Sequence, residues 1–249
     1  MCEFVVKIAE YTILIRALHP EVKKIFEDYL TEEAPQITIE SSESGIIAER
    51  QMLMKYEKDL SPYVDRFSDS MLESSYLHHL LVERLSESNI VLMHGSAIAL
   101  DGETYIFVAP SGTGKSTHTH LWCETFGDRA VMVNDDKPLL KCTGEDIFVY
   151  GSPWNGKHHR GANISMPLKA ICFLERGTEN HMEQISSEEA FFPMLEAVYH
   201  SNSVQNETCI LQSLQNIRQK TAFYRLRCNM EPDAARVSYE GMRDERRDH

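Results

Sequence analysis

A glycine-rich segment that ends in Lys-Ser-Thr constrains this chain more than any other feature. Residues 109–117 read APSGTGKST and follow the apolar run YIFV at residues 105–108. A strand, a glycine-rich turn and a helix, in that order, form a phosphate-binding loop, because the N–H groups of the turn converge on an anion at the positive end of the helix. The usual pattern is G-x-x-x-x-G-K-[ST], and Ala109 stands where its first glycine would be.

This pattern predicts contacts with ATP. Lys115 would reach the β- and γ-phosphates, and the Ser116 hydroxyl would hold Mg²⁺. The predicted cofactor-binding residues are Ser111, Gly112, Thr113, Gly114, Lys115, Ser116 and Thr117. A glycine-rich turn that binds nothing is the alternative, and the surrounding residues must decide between the two.

Two adjacent carboxylates follow the next buried run. Asp135 and Asp136 come after the apolar residues 130–133, at the predicted carboxyl end of a strand, where open α/β sheets bind their ligands. Beside a bound triphosphate, one carboxylate would hold Mg²⁺ and the other would accept the proton of an attacking hydroxyl. An Asp-Asp turn without chemistry is the alternative.

Three further residues are candidates for the catalytic site. Lys157 and Arg160 lie in the loop at residues 151–161, GSPWNGKHHRG, and are suited to offset charge on a transferring phosphoryl group. The alternative for this loop is a solvated surface segment. His94 stands between two strands that lead to the glycine-rich loop and could face the γ-phosphate, although a lone histidine is more often structural.

The order of predicted elements indicates an α/β fold with a mixed sheet. Asp101-Gly102 separates two apolar runs as a hairpin turn does, directly ahead of the glycine-rich loop. We therefore expect a main domain at residues 89–249, preceded by a small α+β region at residues 1–88. Within that region, strands are predicted at 4–8, 11–15 and 36–40 and helices from Pro20 and at 69–87, whereas residues 50–56 are ambiguous.

Composition excludes several classes of function. The chain has 249 residues and a formal net charge of −13, which disfavours binding to nucleic acid. No apolar run reaches the length of a membrane span, and charged residues interrupt the first apolar stretch, which argues against a signal peptide. The six cysteines stand singly, which argues against a disulfide framework or a zinc site. We therefore expect a cytoplasmic protein without a membrane partner.

These residues together resemble the kinase domain of HPr kinase/phosphorylase and, more distantly, ATP-dependent phosphoenolpyruvate carboxykinase. The similar segments, all within residues 89–175, are His94-Gly95, SGTGKS at 111–116, VNDD at 133–136 and Arg160-Gly161. The resemblance implies a mixed-sheet P-loop kinase core that binds ATP and Mg²⁺, with Asp135 as the base and Asp136 as a metal ligand. The reverse assignment of these two carboxylates stays open. The resemblance also implies a homo-oligomer.

The chain departs from that family in three places. One is that the downstream HPr-kinase signature stretch is not recognisable beyond Arg160-Gly161. Thr117 follows Ser116, where HPr kinases usually carry glutamate, and residues 1–88 do not resemble their N-terminal domain. The chain looks more similar to compact bacterial HPr-kinase-like proteins, some of which phosphorylate serine hydroxyls, including those of peptides. A carboxykinase is disfavoured because that family is far longer and its additional metal-binding lysine and histidine have no counterpart that we can place.

The leading hypothesis is an ATP- and Mg²⁺-dependent kinase that acts on a hydroxyl. A serine of a protein or peptide is the first candidate acceptor, and a small hydroxyl compound is another. The predicted catalytic residues are Asp135, Lys115, Arg160, Lys157 and His94, and the predicted metal ligands are Ser116 and Asp136. The alternative is a nucleotide-binding regulatory protein without phosphoryl transfer. An ABC-type ATPase is disfavoured, because neither an LSGGQ-like signature nor an Asp-Glu strand end is present.

Overall fold

The computed structural model describes residues 1–56 and 61–243 of the chain. The chain divides into two compact units, Met1–Arg84 and Leu85–His249. In the described ranges, no helix is both long enough and apolar enough to span a membrane.

The Met1–Arg84 unit is built on a three-stranded sheet of β1 (Cys2–Ile8), β2 (Tyr11–Ala17) and β3 (Ile37–Glu40). β1 and β2 form an antiparallel hairpin, and β3 pairs with β2 in parallel. Val6, Ile8, Ile13 and Ile15 alternate along the hairpin and are fully buried, as expected for a sheet with one covered face. The remaining elements are 3₁₀ helices at Pro20–Tyr29 and Ser61–Arg66, α1 (Glu43–Tyr56) and α2 (Asp69–Ser86), which ends just past the boundary between the units.

The Leu85–His249 unit is built on a mixed sheet of nine strands in its described residues. The path through the sheet is β4-β8-β9-β10-β6-β5-β7, and β12 pairs with β10 and with β11. The strands are β4 (Ile90–Leu92), β5 (Ser96–Leu100), β6 (Glu103–Val108), β7 (Ala130–Asn134), β8 (Leu139–Thr143), β9 (Asp146–Tyr150), β10 (Ser165–Arg176), β11 (His181–Ile185) and β12 (Ala222–Cys228).

Helices cover both faces of this sheet. α3 (Lys115–Phe126) and α6 (Asp233–Arg243) pack on the face that includes Ile98 and Phe107. α4 (Ser187–Ala197) and α5 (Val204–Lys220) pack on the opposite face, which includes Ala97 and Ile106. Neighbouring residues of one strand therefore belong to different cores, as the alternation of side chains along a strand requires.

Strand directions bring three segments to one edge of the sheet. β5 is antiparallel to both β6 and β7, so β6 and β7 run in the same direction. The register pairs Ser96 with Phe107 and Ala97 with Asn134, so β5 begins beside the ends of β6 and β7. The residues that precede β5, the loop after β6 and the carboxylates after β7 therefore meet at this edge.

The expected α/β class with a mixed sheet agrees with the structure, and most predicted elements are confirmed. The hairpin between β5 and β6 turns at Asp101 and Gly102, whose φ angles of +53° and +88° are those of a tight two-residue turn. The ambiguous residues 50–56 lie within helix α1, and the segment from Pro20 is a 3₁₀ helix. Strand β11, at the end of the β10-β12-β11 branch, was not predicted.

Candidate functional site

The glycine-rich loop joins β6 to α3 through two residues with positive φ. Gly112 has φ +76° and Gly114, directly before α3, has φ +127°. A Cβ atom at either position would meet nothing within 4 Å, so it is the backbone angle and not lack of space that requires glycine. The turn precedes a 12-residue helix whose first N–H groups have no intrahelical partner.

Lys115 closes the loop on itself. Its side chain is buried and its Nζ donates a hydrogen bond to the carbonyl oxygen of Ala109 at 2.7 Å. Burial lowers the pKa of Lys115, and the carboxylates of Asp136 and Asp135 partly offset that effect. The lysine is therefore held against the loop, with both carboxylates near enough to affect its charge.

Asp135 is buried and hydrogen-bonded to residues of β5 and α3. Ser96 Oγ donates to Asp135 Oδ1 at 2.6 Å, and Thr119 Oγ1 lies 3.5 Å from the same oxygen. Thr119 lies one turn into α3, and its hydroxyl also contacts the Ser116 carbonyl at 3.3 Å. Asp135 is thus fixed against the first turn of the helix that begins at the loop.

Asp136 is the more exposed carboxylate and pairs with His94. Its Oδ1 lies 3.4 Å from His94 Nε2, and the two side chains are 30% and 47% exposed. Burial acts to raise the pKa of Asp136, but the hydrogen bond from His94 and the positive charges of Lys137 and Lys115 outweigh it and hold that pKa below its ordinary value. The Gly95 amide donates to the Asp136 carbonyl at 3.0 Å, which ties the two backbone segments together.

Asn134 turns the chain at the end of β7 so that both carboxylates follow the strand. Its Oδ1 accepts hydrogen bonds from the amides of Asp136 at 2.9 Å and Lys137 at 2.6 Å. Its Nδ2 donates to the carbonyl of Ser152 at 3.0 Å, so the same side chain anchors the start of the 151–161 loop. This asparagine was not among the predicted site residues, although its side-chain chemistry is typical of a turn.

The 151–161 loop packs on the acidic pair through Gly156. This glycine has φ +72°, and a Cβ atom there would lie 3.1 Å from Asp136 Cβ. Lys157 and His158 follow it and line the same cavity as the carboxylates. Arg160 lies on the outside, where its guanidinium donates to His120 Nδ1 at 3.0 Å while its carbonyl accepts from the Asp135 amide at 3.1 Å.

These segments enclose one cavity of about 310 Å³, which we call the phosphate-loop cavity. Its lining residues are His94, Ser111, Gly112, Gly114, Lys115, Ser116, Thr117, Asp135, Asp136, Gly156, Lys157 and His158. Two of the predicted site residues, Thr113 and Arg160, are outside this lining. Among the described residues, no group of three His, Cys, Asp or Glu side chains could hold a metal ion by itself.

Besides Asn134, two further supporting side chains were not predicted from the sequence. Ser96 orients Asp135 from β5, and Arg176 at the end of β10 donates to the carbonyl of Gly112 at 2.5 Å and to that of Thr113 at 3.4 Å. Both are far from their partners in sequence, and neither belongs to a local motif. Only the pairing of the strands brings them to the loop and to the carboxylates.

Comparison with known proteins gives a family and distant structural similarities. No curated protein matches the chain. Among solved structures, the Hpr(Ser) kinase/phosphatase from Coxiella burnetii is similar over 52% of this chain and 97% of its own chain, with 12% sequence identity and a TM-score of 0.30. The family model described as SynChlorMet cassette protein ScmC matches residues 64–234. Because that match spans well over half of the 249 residues, the chain belongs to the ScmC family of SynChlorMet cassette proteins.

Proposed function

We propose that this protein is a kinase that transfers the γ-phosphoryl group of ATP to a hydroxyl, with a serine of a protein or peptide as the first candidate acceptor. One observation carries the proposal: Lys115, the glycine-rich loop and two adjacent carboxylates line a single cavity. A phosphate site needs only the loop and the lysine. The additional carboxylate beside a histidine is what proton removal from an acceptor requires.

The loop and α3 would hold the triphosphate. Backbone N–H groups around Gly112 and Gly114, together with the positive end of α3, attract an anion. Lys115 would exchange its hydrogen bond to the Ala109 carbonyl for a phosphate oxygen. Lys157, in the same cavity, would offset charge on the transferring group. Arg160 would help Lys157 to offset this charge only if its guanidinium gave up the hydrogen bond to His120.

The donor set fits Mg²⁺ bound together with a nucleotide. Ser116 and Asp135 would supply one hydroxyl and one buried carboxylate oxygen, and the first turn of α3 brings them together through Thr119. Magnesium is usually held by one or two protein ligands plus phosphate oxygens and water, so a site without three protein ligands suits it. When bound, Mg²⁺ would neutralise charge on the β- and γ-phosphates.

The two carboxylates would then have the opposite roles to those implied by the family resemblance, with Asp135 as the metal ligand and Asp136 as the base. Asp135 is buried, and one of its oxygens is occupied by Ser96, which suits a fixed metal ligand. Asp136 is exposed to the cavity beside His94, and its lowered pKa keeps it ionised at neutral pH. It would accept the proton of the acceptor hydroxyl while that oxygen bonds to the γ-phosphorus and the bond from the γ-phosphorus to the bridging oxygen breaks, releasing ADP.

The experiment combines transfer and binding on matched variants. Wild type, Asp136→Asn and Asp135→Asn are incubated with γ-labelled ATP, Mg²⁺ and a panel of serine peptides and small alcohols, and ATP-induced stabilisation is measured in parallel. We expect Asp136→Asn to lose about 100-fold or more of the transfer rate while ATP still stabilises the protein. We expect Asp135→Asn to require more Mg²⁺ for the same stabilisation.

Two results would count against this proposal. If Asp136→Asn kept the full transfer rate, Asp136 would not be the base. If ATP stabilised the wild type without labelling any acceptor and without slow release of labelled phosphate to water, a nucleotide-binding regulatory protein would be the better description. Lys115→Met serves as the binding control, since it should lose ATP-induced stabilisation.

A further inference from the structure

Arg176, at the end of β10, contacts two consecutive carbonyl groups of the glycine-rich loop. Its Nη2 donates a hydrogen bond to the Gly112 carbonyl oxygen at 2.5 Å, and its Nε donates to the Thr113 carbonyl oxygen at 3.4 Å. In the described part of the chain, Arg176 lines a separate cavity on the α3 side of the loop and not the phosphate-loop cavity. The arginine therefore reaches the loop without facing the space where a phosphate would lie.

The direction of a carbonyl group determines the direction of the next amide. In a trans peptide unit the C=O and N–H bonds lie in one plane and point in opposite directions. Because the Thr113 carbonyl points to Arg176, the Gly114 N–H points away from Arg176. Gly114 lines the phosphate-loop cavity, and its N–H is one of the donors that we assign to a phosphate. The contact with Arg176 thus sets the orientation of a donor that Arg176 does not touch.

The peptide unit between Thr113 and Gly114 can reverse without strain. A reversal by about 180° would take the φ angle of Gly114 from +127° to about −53°, and glycine accepts both signs. The preceding unit is held more firmly. The Thr113 amide donates to the Pro110 carbonyl at 3.2 Å, and a reversal there would give the β-branched Thr113 a positive φ. The Gly114 carbonyl is held as well, since it accepts from the His118 amide at 2.9 Å.

We propose that Arg176 is a positioning residue that holds the Thr113–Gly114 peptide unit in its phosphate-binding orientation, an inference that rests on the proposed function. In the reversed unit the carbonyl oxygen would point to the side where the N–H now points and would repel an anion. The N–H would point towards the guanidinium, another donor. A guanidinium suits this role because its planar fork of donors can bridge two carbonyl oxygens at once, whereas a lysine ammonium is a point charge.

Tripolyphosphate binding, measured by calorimetry, tests the proposal on four proteins: wild type, Arg176→Ala, Arg176→Lys and Arg227→Ala. Arg227 is the matched control. Arg176 is in register with Cys228, so Arg227 lies one residue away on β12, and its guanidinium pairs with Glu175 at 3.3 Å. Both arginines are exposed.

We expect Arg176→Ala to bind tripolyphosphate about 10-fold more weakly or worse, because the apparent affinity falls with the fraction of molecules whose loop is competent to bind. Arg227→Ala should stay within about twofold of the wild type, since an exposed charge is screened by salt. Arg176→Lys keeps the charge but not the bridge, so it should lose most of the same affinity. Equal losses in Arg176→Ala and Arg227→Ala, or wild-type affinity in Arg176→Lys, would overturn the proposal.

The amide signal of Gly114 reports the orientation of the peptide unit directly. Labelling with ¹⁵N-glycine marks the 12 glycines of the chain, and the Gly114 and Gly102 signals are identified by their loss in Gly114→Ala and Gly102→Ala. Without ligand, we expect Arg176→Ala and Arg176→Lys to shift or broaden the Gly114 signal and to leave the Gly102 signal in place. A Gly114 signal that is unchanged in both variants would overturn the proposal even if the affinity fell.

The kinetics of phosphoryl transfer give a further readout. Because Arg176 contacts the loop and not the acidic pair, Arg176→Ala should raise the KM for ATP and leave kcat at saturating ATP within about twofold of the wild type. A fall in kcat without a change in KM would contradict a positioning role.

The binding data also separate this inference from the proposed function. If the wild type and Arg176→Ala bind tripolyphosphate equally well, the phosphate site stands and the role of Arg176 is wrong. If the wild type binds neither tripolyphosphate nor ATP, the proposed function fails and the inference fails with it.

Discussion

Removing the Ser96 hydroxyl tests whether Asp135 is held as a buried, hydrogen-bonded carboxylate. Ser96 is fully buried, Asp135 is 4% exposed, and the hydroxyl donates to Asp135 Oδ1 at 2.6 Å. In Ser96→Ala, the side-chain contact left to that oxygen among the described residues is the one with Thr119 at 3.5 Å. A hydrogen bond to a charged group contributes about 1.5–3 kcal/mol, so we expect the free energy of unfolding to fall by that amount.

A second background shows whether the carboxylate charge is responsible. In Asp135→Asn the same serine faces a neutral amide, and a neutral hydrogen bond contributes only about 0.5–1.5 kcal/mol. Ser96→Ala should therefore cost about half as much in the Asp135→Asn protein as in the wild type. Because the supporting hydroxyl also orients a proposed metal ligand, we expect Ser96→Ala to weaken Mg²⁺-dependent ATP binding about 10–100-fold.

Urea unfolding followed by tryptophan fluorescence measures these losses of stability in the structural unit that contains both residues. The chain has two tryptophans, Trp122 and Trp154, and both lie in the Leu85–His249 unit. The midpoint should shift without a change in the m-value. If Ser96→Ala cost less than about 0.5 kcal/mol, or cost the same in both backgrounds, the hydrogen bond would not be the stabilising contact that we describe.

Three further perturbations have defined outcomes. Gly114 and Gly102 have φ of +127° and +88° with open space around both, so Gly114→Ala and Gly102→Ala should each lose about 1 kcal/mol or more of stability. Only Gly114→Ala should also lose tripolyphosphate binding, measured by calorimetry. If Gly114→Ala still bound tripolyphosphate, the role of the loop would be contradicted. Burial lowers the pKa of His118 from 6.5 to about 3, so between these values the unfolded chain binds one proton more than the folded chain and stability falls as the pH falls. From pH 7.5 to pH 5 the free energy of unfolding, measured with urea, should fall by about 2 kcal/mol in the wild type and should not show this fall in His118→Gln. The same fall in both proteins would show that His118 is not its cause. Ser186→Ala removes the capping box of α4 with Glu189 and should lower the melting temperature through a loss of about 1 kcal/mol, whereas an unchanged melting temperature would show that the cap does not contribute.

Features with a local signal were the ones that could be predicted from the sequence. The glycine-rich loop, the Asp101-Gly102 turn and the carboxylates after a buried strand each depend on residues that are close together in the chain. Residues 50–56, which form the second half of helix α1, were ambiguous because an apolar residue, Met54, lies on the exposed side and is 46% exposed. Strand β11 could not be recognised because it is a short edge strand with one buried side chain, Ile185.

The order of the strands depends on contacts far apart in sequence, so the partners that cross the sheet could not be predicted. Ser96 and Asp135 are 39 residues apart, and Arg176 and Gly112 are 64 residues apart. A serine in a strand and an arginine at a strand end are common and have no characteristic spacing. These contacts follow only once β5 is placed between β6 and β7 and β10 beside β6.

The direction of β5 explains why a histidine stands beside the acidic pair. If the strand between β6 and β7 were parallel to them, it would end at the same edge of the sheet. An antiparallel strand begins at that edge, so the residues that precede it, His94 among them, lie beside Asp136. The tight Asp101-Gly102 turn permits only the antiparallel arrangement of β5 and β6, because a parallel pair needs a crossover of a dozen residues or more. A two-residue turn, remote from the site, therefore determines which end of β5 reaches the carboxylates.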